Sequence, residues 1–318
     1  MHVLYFGPGQ AAKCVDPGDR PEPAGHYWLD IERTETDLYP EADRWLDTNL
    51  QEAHLAESLE GRMPFYDGTD AYDLLVMRTL DVESPADAPV TRPVAIFITA
   101  RVIVSIRPPG DAVFERLRER LLKGQRKSPE TTIALLSLLL NRIVVQLLDR
   151  RETVSELVSQ WQDQLLDHDE PFDAWRGLVR LRTHLARLED VSEAQLDALS
   201  GWREQTSLEP NAENLGHFDA LEKDLRRVFE HAVAMQTDID ALVQIHYAIV
   251  GQKTNEILRT LTIISVVFLP LNLIAGIYGM NFTHLPFVES TWAPWATVGV
   301  MLCLAALLYF LLSRKRWF

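Results

Sequence analysis

Cysteine is nearly absent from this 318-residue chain: Cys14 and Cys303 are the only two, and they lie far apart. That spacing excludes a disulfide framework and a CxxC metal motif. Basic residues are also scarce, 31 Lys and Arg against 46 Asp and Glu, for a net charge of −15. The deficit is uneven. From Lys253 onward five basic residues face two acidic ones, a local +3, so residues 1–252 carry −18. An acidic surface of this kind repels nucleic acid and anionic lipid and attracts cations, which argues against a nucleic-acid partner. The phosphate-loop, zinc-protease and hydrolase signatures GxxxxGKS/T, HExxH and GxSxG are missing. Gly7-Pro8-Gly9 lacks the rest of a dinucleotide fingerprint and suits a plain turn. No enzymatic activity and no cofactor are expected. The start, MHVLYFGPGQ, has no basic stretch followed by an apolar run, so no signal peptide is expected.

What is present changes character along the chain. Residues 1–110 read as mixed α/β. His2–Phe6, His26–Ile31, Tyr72–Leu80, Val94–Thr99 and Arg101–Ile106 have strand character, with a Pro/Gly-rich turn over Pro17–Gly25. Glu41–Glu60 has helical spacing, carried by Trp45, Leu46, Leu50, Leu55 and Leu59. Helices follow. Ala112–Lys123 is amphipathic, and Ser128–Leu148 opens on the capping sequence Ser128-Pro129-Glu130. The apolar centre of that second helix, Ile133–Leu140, ends at Asn141 and Arg142, which favours a buried helix over a membrane span. Further helices are expected over Thr153–Leu166, Phe172–Leu188 and Ser192–Arg203. From Phe218 to Leu269 there is no proline and only Gly251, and Leu221, Leu225, Val228, Ala232, Met235, Ile239, Leu242, Ile245 and Ile249 recur every three or four residues. That stripe predicts a long helix running without a turn into the next segment.

The next segment and one near the end of the chain lack charge altogether. Leu261–Tyr278 and Trp295–Leu312 each supply about 27 Å of helix at 1.5 Å per residue, close to the ~30 Å hydrocarbon thickness of a bilayer. Lys253 and Arg259 precede the first span and Arg314-Lys315-Arg316 follow the second, while the loop Phe282–Pro294 has no Lys or Arg. By the positive-inside rule both termini face the cytoplasm. One face of the first span, Asn255, Leu258, Thr262, Ser265, Leu269, Asn272, Gly276 and Gly279, is mostly small or polar. Asparagine is costly against lipid, so this face meets protein or water. Two readings fit, close packing through small residues or a water-filled axis ringed by copies of the helix.

The first span ends in Tyr278-Gly279-Met280-Asn281-Phe282, and here the chain resembles the CorA family of divalent-cation transporters. The resemblance extends through Thr254-Asn255-Glu256, Leu261-Thr262, Leu269-Pro270 and Ala275-Gly276-Ile277, and more weakly through Trp28–Ile31, His54–Leu59 and the Ile96–Ser105 strands. It implies an α+β cytoplasmic domain with a helical layer (1–215), a stalk helix (216–260), a first transmembrane helix (261–281), an outer loop (282–294), a second transmembrane helix (295–313) and a basic cytoplasmic tail (314–318). It also implies a homopentamer in the inner membrane. Gly279, Met280 and Asn281 would form the selectivity filter. Asn255, Thr262, Ser265, Asn272 and Gly276 would line the conduit, with Leu269 and either Leu258 or Leu261 as apolar constrictions. Mg²⁺, which sheds its water reluctantly, would pass with its hydration shell against the Asn281 ring.

The loop departs from the family's pattern. Relatives commonly follow GMN-Phe with an acidic residue and Met-Pro-Glu-Leu; here Thr283-His284-Leu285-Pro286-Phe287 follows, and Glu289 is the loop's only acid. His284 raises Zn²⁺, possible with proton coupling, as the alternative cargo, because imidazole suits that ion better. Gln244 stands where some relatives carry a regulatory stalk aspartate, though Glu222, Asp224, Asp238 and Asp240 remain candidate cytoplasmic cation ligands. A non-conducting membrane-anchored scaffold or sensor is the competing class. It predicts hydrophobicity all round the first span.

Overall fold

A computed structural model describes residues 1–7, 11–19, 25–60, 63–81, 83–125, 127–167, 172–280 and 292–314. The chain divides into two units, Met1–Leu242 and Val243–Phe318.

The first unit is built on a seven-stranded sheet of β1 (His2–Phe6), β2 (Lys13–Val15), β3 (His26–Glu32), β4 (Phe65–Gly68), β5 (Asp73–Leu80), β6 (Thr91–Ile98) and β7 (Val102–Arg107), in the order β2-β1-β3-β7-β6-β5-β4. Neighbours are antiparallel except β3 and β7, which run parallel with Trp28 opposite Ile103 and Ile31 opposite Ile106. A parallel pair requires a crossover, and the chain between β3 and β7 supplies it. All the strands expected from sequence form. The two unforeseen ones, β2 and β4, are the short edge strands, whose few residues give alternation too little length to register.

Both faces of the sheet are covered, which is why β5 and β7 are buried along almost their whole length. On one face Val3, Tyr27, Leu29, Ile31, Leu74, Val76, Phe97 and Val104 pack with Trp45 and Leu46 of α1 (Tyr39–Leu46). The Glu41–Glu60 helix expected from spacing is two helices, α1 and α2 (Glu52–Glu60). Asp47 takes a left-handed φ of 54°, ending α1, and Asp43 Oδ1 accepts the Leu50 amide at 2.9 Å, fixing the turn. On the other face lie α3 (Ala112–Leu122), α4 (Thr132–Leu166) and α5 (Trp175–Gln205). Trp28 meets Phe114 of α3, and Thr79 of β5 bonds Gln146 of α4.

These helices are fewer and longer than their composition suggests. α4 starts at the Thr131 cap, whose Oγ1 accepts the Ala134 amide at 3.0 Å, not at Ser128. It then runs through Asp149–Glu152, where a break was expected, because no Gly or Pro interrupts it. Ile133, Leu135, Leu136, Leu139, Leu140 and Ile143 are buried, in keeping with a core helix. α5 likewise spans both expected helices. Ser192 does not cap a new helix; its hydroxyl donates to the Leu188 carbonyl at 2.7 Å inside the old one.

α6 is continuous from Ala212 to Gly279, 68 residues, and is capped by Asn211, whose Oδ1 accepts the Asn214 amide at 2.8 Å. Its first half buries Phe218, Leu221, Leu225, Val228, Ala232, Ile239 and Leu242 within the first unit, much of the stripe seen in the sequence. In the second unit α6 continues and α7 (Ala293–Arg314) follows. Here large apolar side chains face outward: Phe268 is 58% exposed, Leu269 69% and Leu302 67%. A water-soluble surface does not carry such a patch.

Candidate functional site

The C-terminal part of α6 is an unbroken helix rich in Ile, Val, Leu and Phe. Pro270 lies inside it and has no amide hydrogen, so the Val266 carbonyl loses its usual partner four residues on. Asn255, Leu258, Thr262, Ser265, Leu269, Asn272, Gly276 and Gly279 follow one another at alternating spacings of three and four. That is a 3.5-residue period, the seam along which helices supercoil around one another. Leu261 falls beside the seam, about 100° from Thr262, whereas Leu258 lies on it.

Polarity along the seam is moderated by the helix itself. Thr262 Oγ1 donates to the Leu258 carbonyl at 2.7 Å and Ser265 Oγ to the Leu261 carbonyl at 2.8 Å. Their donor hydrogens are spent, and the hydroxyl lone pairs remain as acceptors. Asn255 and Asn272 are exposed and keep full amide groups. At Gly276 and Gly279 an added Cβ would meet nothing within 4 Å. Among the described residues, then, no neighbour crowds either glycine. α6 ends at Gly279, with the Met280 amide bonding back to the Gly276 carbonyl at 3.1 Å and Met280 itself 56% exposed. Asn281, His284 and Glu289 lie outside the described residues.

The four candidate cytoplasmic carboxylates are mostly held by arginine. Glu222 accepts from Arg203, which also bonds Asp219; Asp224 pairs with Arg227 at 3.0 Å; Asp240 pairs with Arg182 at 2.6 Å. The Arg182 guanidinium holds the Asp240 carboxyl below its usual range. Asp238 is exposed. Among the described residues no three His, Cys, Asp or Glu side chains come together as metal ligands. On the same helix His231 Nε2 lies 2.8 Å from Ser155 Oγ of α4. Burial, and then the nearby charge of Arg151, push its pKa down to about 4, which keeps the ring neutral at pH 7.

Sequence reading missed a charged cluster inside the first unit. Asp30 Oδ1 accepts from Arg107 Nε and Oδ2 from Arg118 Nη1, both at 2.8 Å. Asp30 and Arg107 are each 1% exposed. Parity along β3 sets Asp30 on the face opposite Tyr27, Leu29 and Ile31, with polar His26 and Glu32, and the arginines that meet it are distant in sequence.

Two relatives and one solved structure place the chain. The cobalt/magnesium transport protein CorA of Thermotoga maritima is 24% identical over 233 residues, 70% of this chain; the match spans 64% of that protein's length. The magnesium transport protein CorA of Haemophilus ducreyi is 24% identical over 298 residues, 91% of each chain. The complete structure of the CorA magnesium transporter from Methanocaldococcus jannaschii superposes with a TM-score of 0.87 at 18% identity, covering 100% of this chain and 99% of that one. That likeness shares an α+β domain, a long helix and C-terminal apolar helices. The family described as CorA-like Mg2+ transporter protein matches residues 23–316, and the chain belongs to it.

Proposed function

We propose that this chain conducts divalent cations across the inner membrane, Mg²⁺ foremost, through a path lined by the first apolar span of α6 in a homopentamer. The observation that carries this reading is the seam from Asn255 to Gly279, small and polar on an otherwise apolar, outward-facing helix that runs into Gly279-Met280-Asn281. A non-conducting anchor has no use for Asn272 at bilayer depth, where an unpaired amide is costly. In a ring, each seam residue repeats once per copy. Asn255, Thr262, Ser265, Asn272 and Gly276 then present oxygens or open backbone to a water column. Leu269 and Leu258 narrow it with apolar rings that gate by excluding water.

At the outer end, the Gly279 carbonyl and the Asn281 amide oxygen form acceptor rings with Met280 between them. Such acceptors hold the hydration water of Mg²⁺, so the ion need not be stripped, which it resists. Both termini lie in the cytoplasm, since the basic residues flank the spans on that side. The acidic residues 1–252 attract cations by their net charge. No chemical step is needed for this task, and none is assigned.

His284 favours a second cargo. It stands in the outer loop beside the filter, where relatives place a carboxylate-rich sequence, and imidazole prefers Zn²⁺ to Mg²⁺. Glu289 is the loop's only acid. The names of the two relatives support Mg²⁺ and Co²⁺ first.

Purified protein in liposomes loaded with ion-sensitive dye tests the proposal. Mg²⁺ should enter down its gradient, and Asn281→Ala should cut the rate at least tenfold. Absence of Mg²⁺, Co²⁺ and Zn²⁺ uptake would sink it. Uptake of Zn²⁺ far above Mg²⁺, lost in His284→Ala, would make zinc the cargo. Imposing a proton gradient in the same vesicles separates passive from coupled flow.

A further inference from the structure

The seam of the first span carries no carboxylate. Between Glu256 and Glu289 the chain has no Asp or Glu, and the only charged residue there, Arg259, is basic. A path lined by this stretch has to tell a cation from an anion with neutral groups, and those groups are few. Asn255, Asn272 and, past the helix, Asn281 carry amides that donate as well as accept. Leu258 and Leu269 do neither, and Gly276 and Gly279 add no side chain. Thr262 and Ser265 remain.

What sets these two apart is where their hydrogens go. Thr262 Oγ1 gives its hydrogen to the Leu258 carbonyl at 2.7 Å, and Ser265 Oγ gives its own to the Leu261 carbonyl at 2.8 Å. A hydroxyl has one hydrogen and two lone pairs, so each is left as an acceptor only. The bond itself is ordinary in a helix. Thr254 makes it to the Val250 carbonyl at 2.8 Å and Thr260 to the Glu256 carbonyl at 2.9 Å. The position is what differs. Thr260 lies about 200° round the helix from Thr262, whereas Thr262 and Ser265 stand on the seam, between its apolar positions Leu258 and Leu269.

We propose that Thr262 and Ser265 are specificity-determining residues that impose a preference for cations over anions on the inner half of the path. The inference rests on the transport reading above. Water bound to Mg²⁺ turns its oxygen to the ion and its hydrogens outward, and the ion is slow to give that shell up. Rings of oxygens without donors take up those hydrogens. Water around an anion is reversed, with a hydrogen spent on the ion and an oxygen facing out, and a ring without donors offers that oxygen nothing. Between two apolar rings, which exclude water, this difference decides which hydrated ion crosses.

Full-length protein in liposomes, with Mg²⁺ entry and chloride entry each read by a dye, tests this. Thr262→Val with Ser265→Ala removes both oxygens at little change in shape and should cut Mg²⁺ uptake at least tenfold. Exchanging the hydroxyls, Thr262→Ser with Ser265→Thr, should hold uptake within about twofold of the native rate. Thr260→Val, which removes the same kind of bond from the far side of the helix, should do likewise. Thr262→Asn with Ser265→Asn brings donors to the seam, and chloride entry relative to Mg²⁺ should rise at least tenfold. A native chain that takes up no cation overturns this inference together with the transport reading. Native uptake that Thr262→Val with Ser265→Ala preserves overturns this inference alone, and so does chloride still excluded by Thr262→Asn with Ser265→Asn. A loss in Thr260→Val as deep as in the doubly changed seam also overturns it, because the hydroxyls would then act through the bend of the helix.

Discussion

Asp30 shows how much a single side chain can commit in this protein. It is held between Arg107 and Arg118 with almost no solvent contact, and Ser105 Oγ lies 3.2 Å from its Oδ1. Removing one member of such a group leaves the others charged and dry. Asp30→Ala should therefore destabilise the first unit by about 3–5 kcal/mol. Urea unfolding followed by tryptophan fluorescence checks this, Trp28 being bonded to Ser105 beside the cluster. A loss below ~1 kcal/mol would mean that water or other donors replace the pairing. Residue-scale features of this sort were hardly legible. Strand parity puts Asp30 opposite Tyr27, Leu29 and Ile31, on a face buried only by the helices, and its partners lie 77 and 88 residues away. The same holds for Glu222 and Asp240, which read as free cation ligands until Arg203 and Arg182 of α5 come to lie against them.

Elements were read well where a period ran long and poorly where it had to stop. The stripe from Leu221 to Leu242 gave the course of α6 because all of those positions but the half-buried Met235 bury on one side. Helix ends were misplaced at three places: Thr131 takes the cap expected at Ser128, no Gly or Pro stops α4 at Leu148, and Ser192 sits inside α5 with its hydroxyl bonded back to Leu188. The break at Asp47 went unseen for the opposite reason: no glycine or proline announces a left-handed aspartate. The seam of the first span is the exception, visible in sequence because it stays exposed in the single chain. Gly276 decides between its two readings. A Cβ added there meets nothing among the described residues, so Gly276→Leu should leave the thermal unfolding of the first unit unchanged. In a ring of helices the same change crowds the axis. If the seam lines the proposed path, cation uptake should then fall at least tenfold. Full transport with leucine there would exclude the seam as the conduit.

On the scale of the whole molecule, the proposed topology rests on a few charges. Lys253, Arg259 and the Arg314–Arg316 cluster flank spans whose connecting loop has no basic residue, the asymmetry from which the proposed orientation is read. Cys14 offers a direct check, being exposed on the edge strand β2. A membrane-impermeant maleimide should label it in inverted membrane vesicles and not in intact spheroplasts, while Cys303, within the apolar α7, stays unlabelled in both. Labelling of Cys14 from outside the cell would reverse the topology.

By itself the sequence determined what depends on local period and composition: the strands, the long helix, two uncharged spans, the seam and the Gly279-Met280-Asn281 ending that ties the chain to its family. Each is written within a few dozen consecutive residues, where spacing and side-chain chemistry suffice. Only the tertiary structure decided which charges are spent and which are open. It paired the stalk carboxylates with arginines and buried Asp30 between two more. The reason is that a charge is worth what surrounds it, and those surroundings are assembled from segments that meet only when the sheet and its helices close.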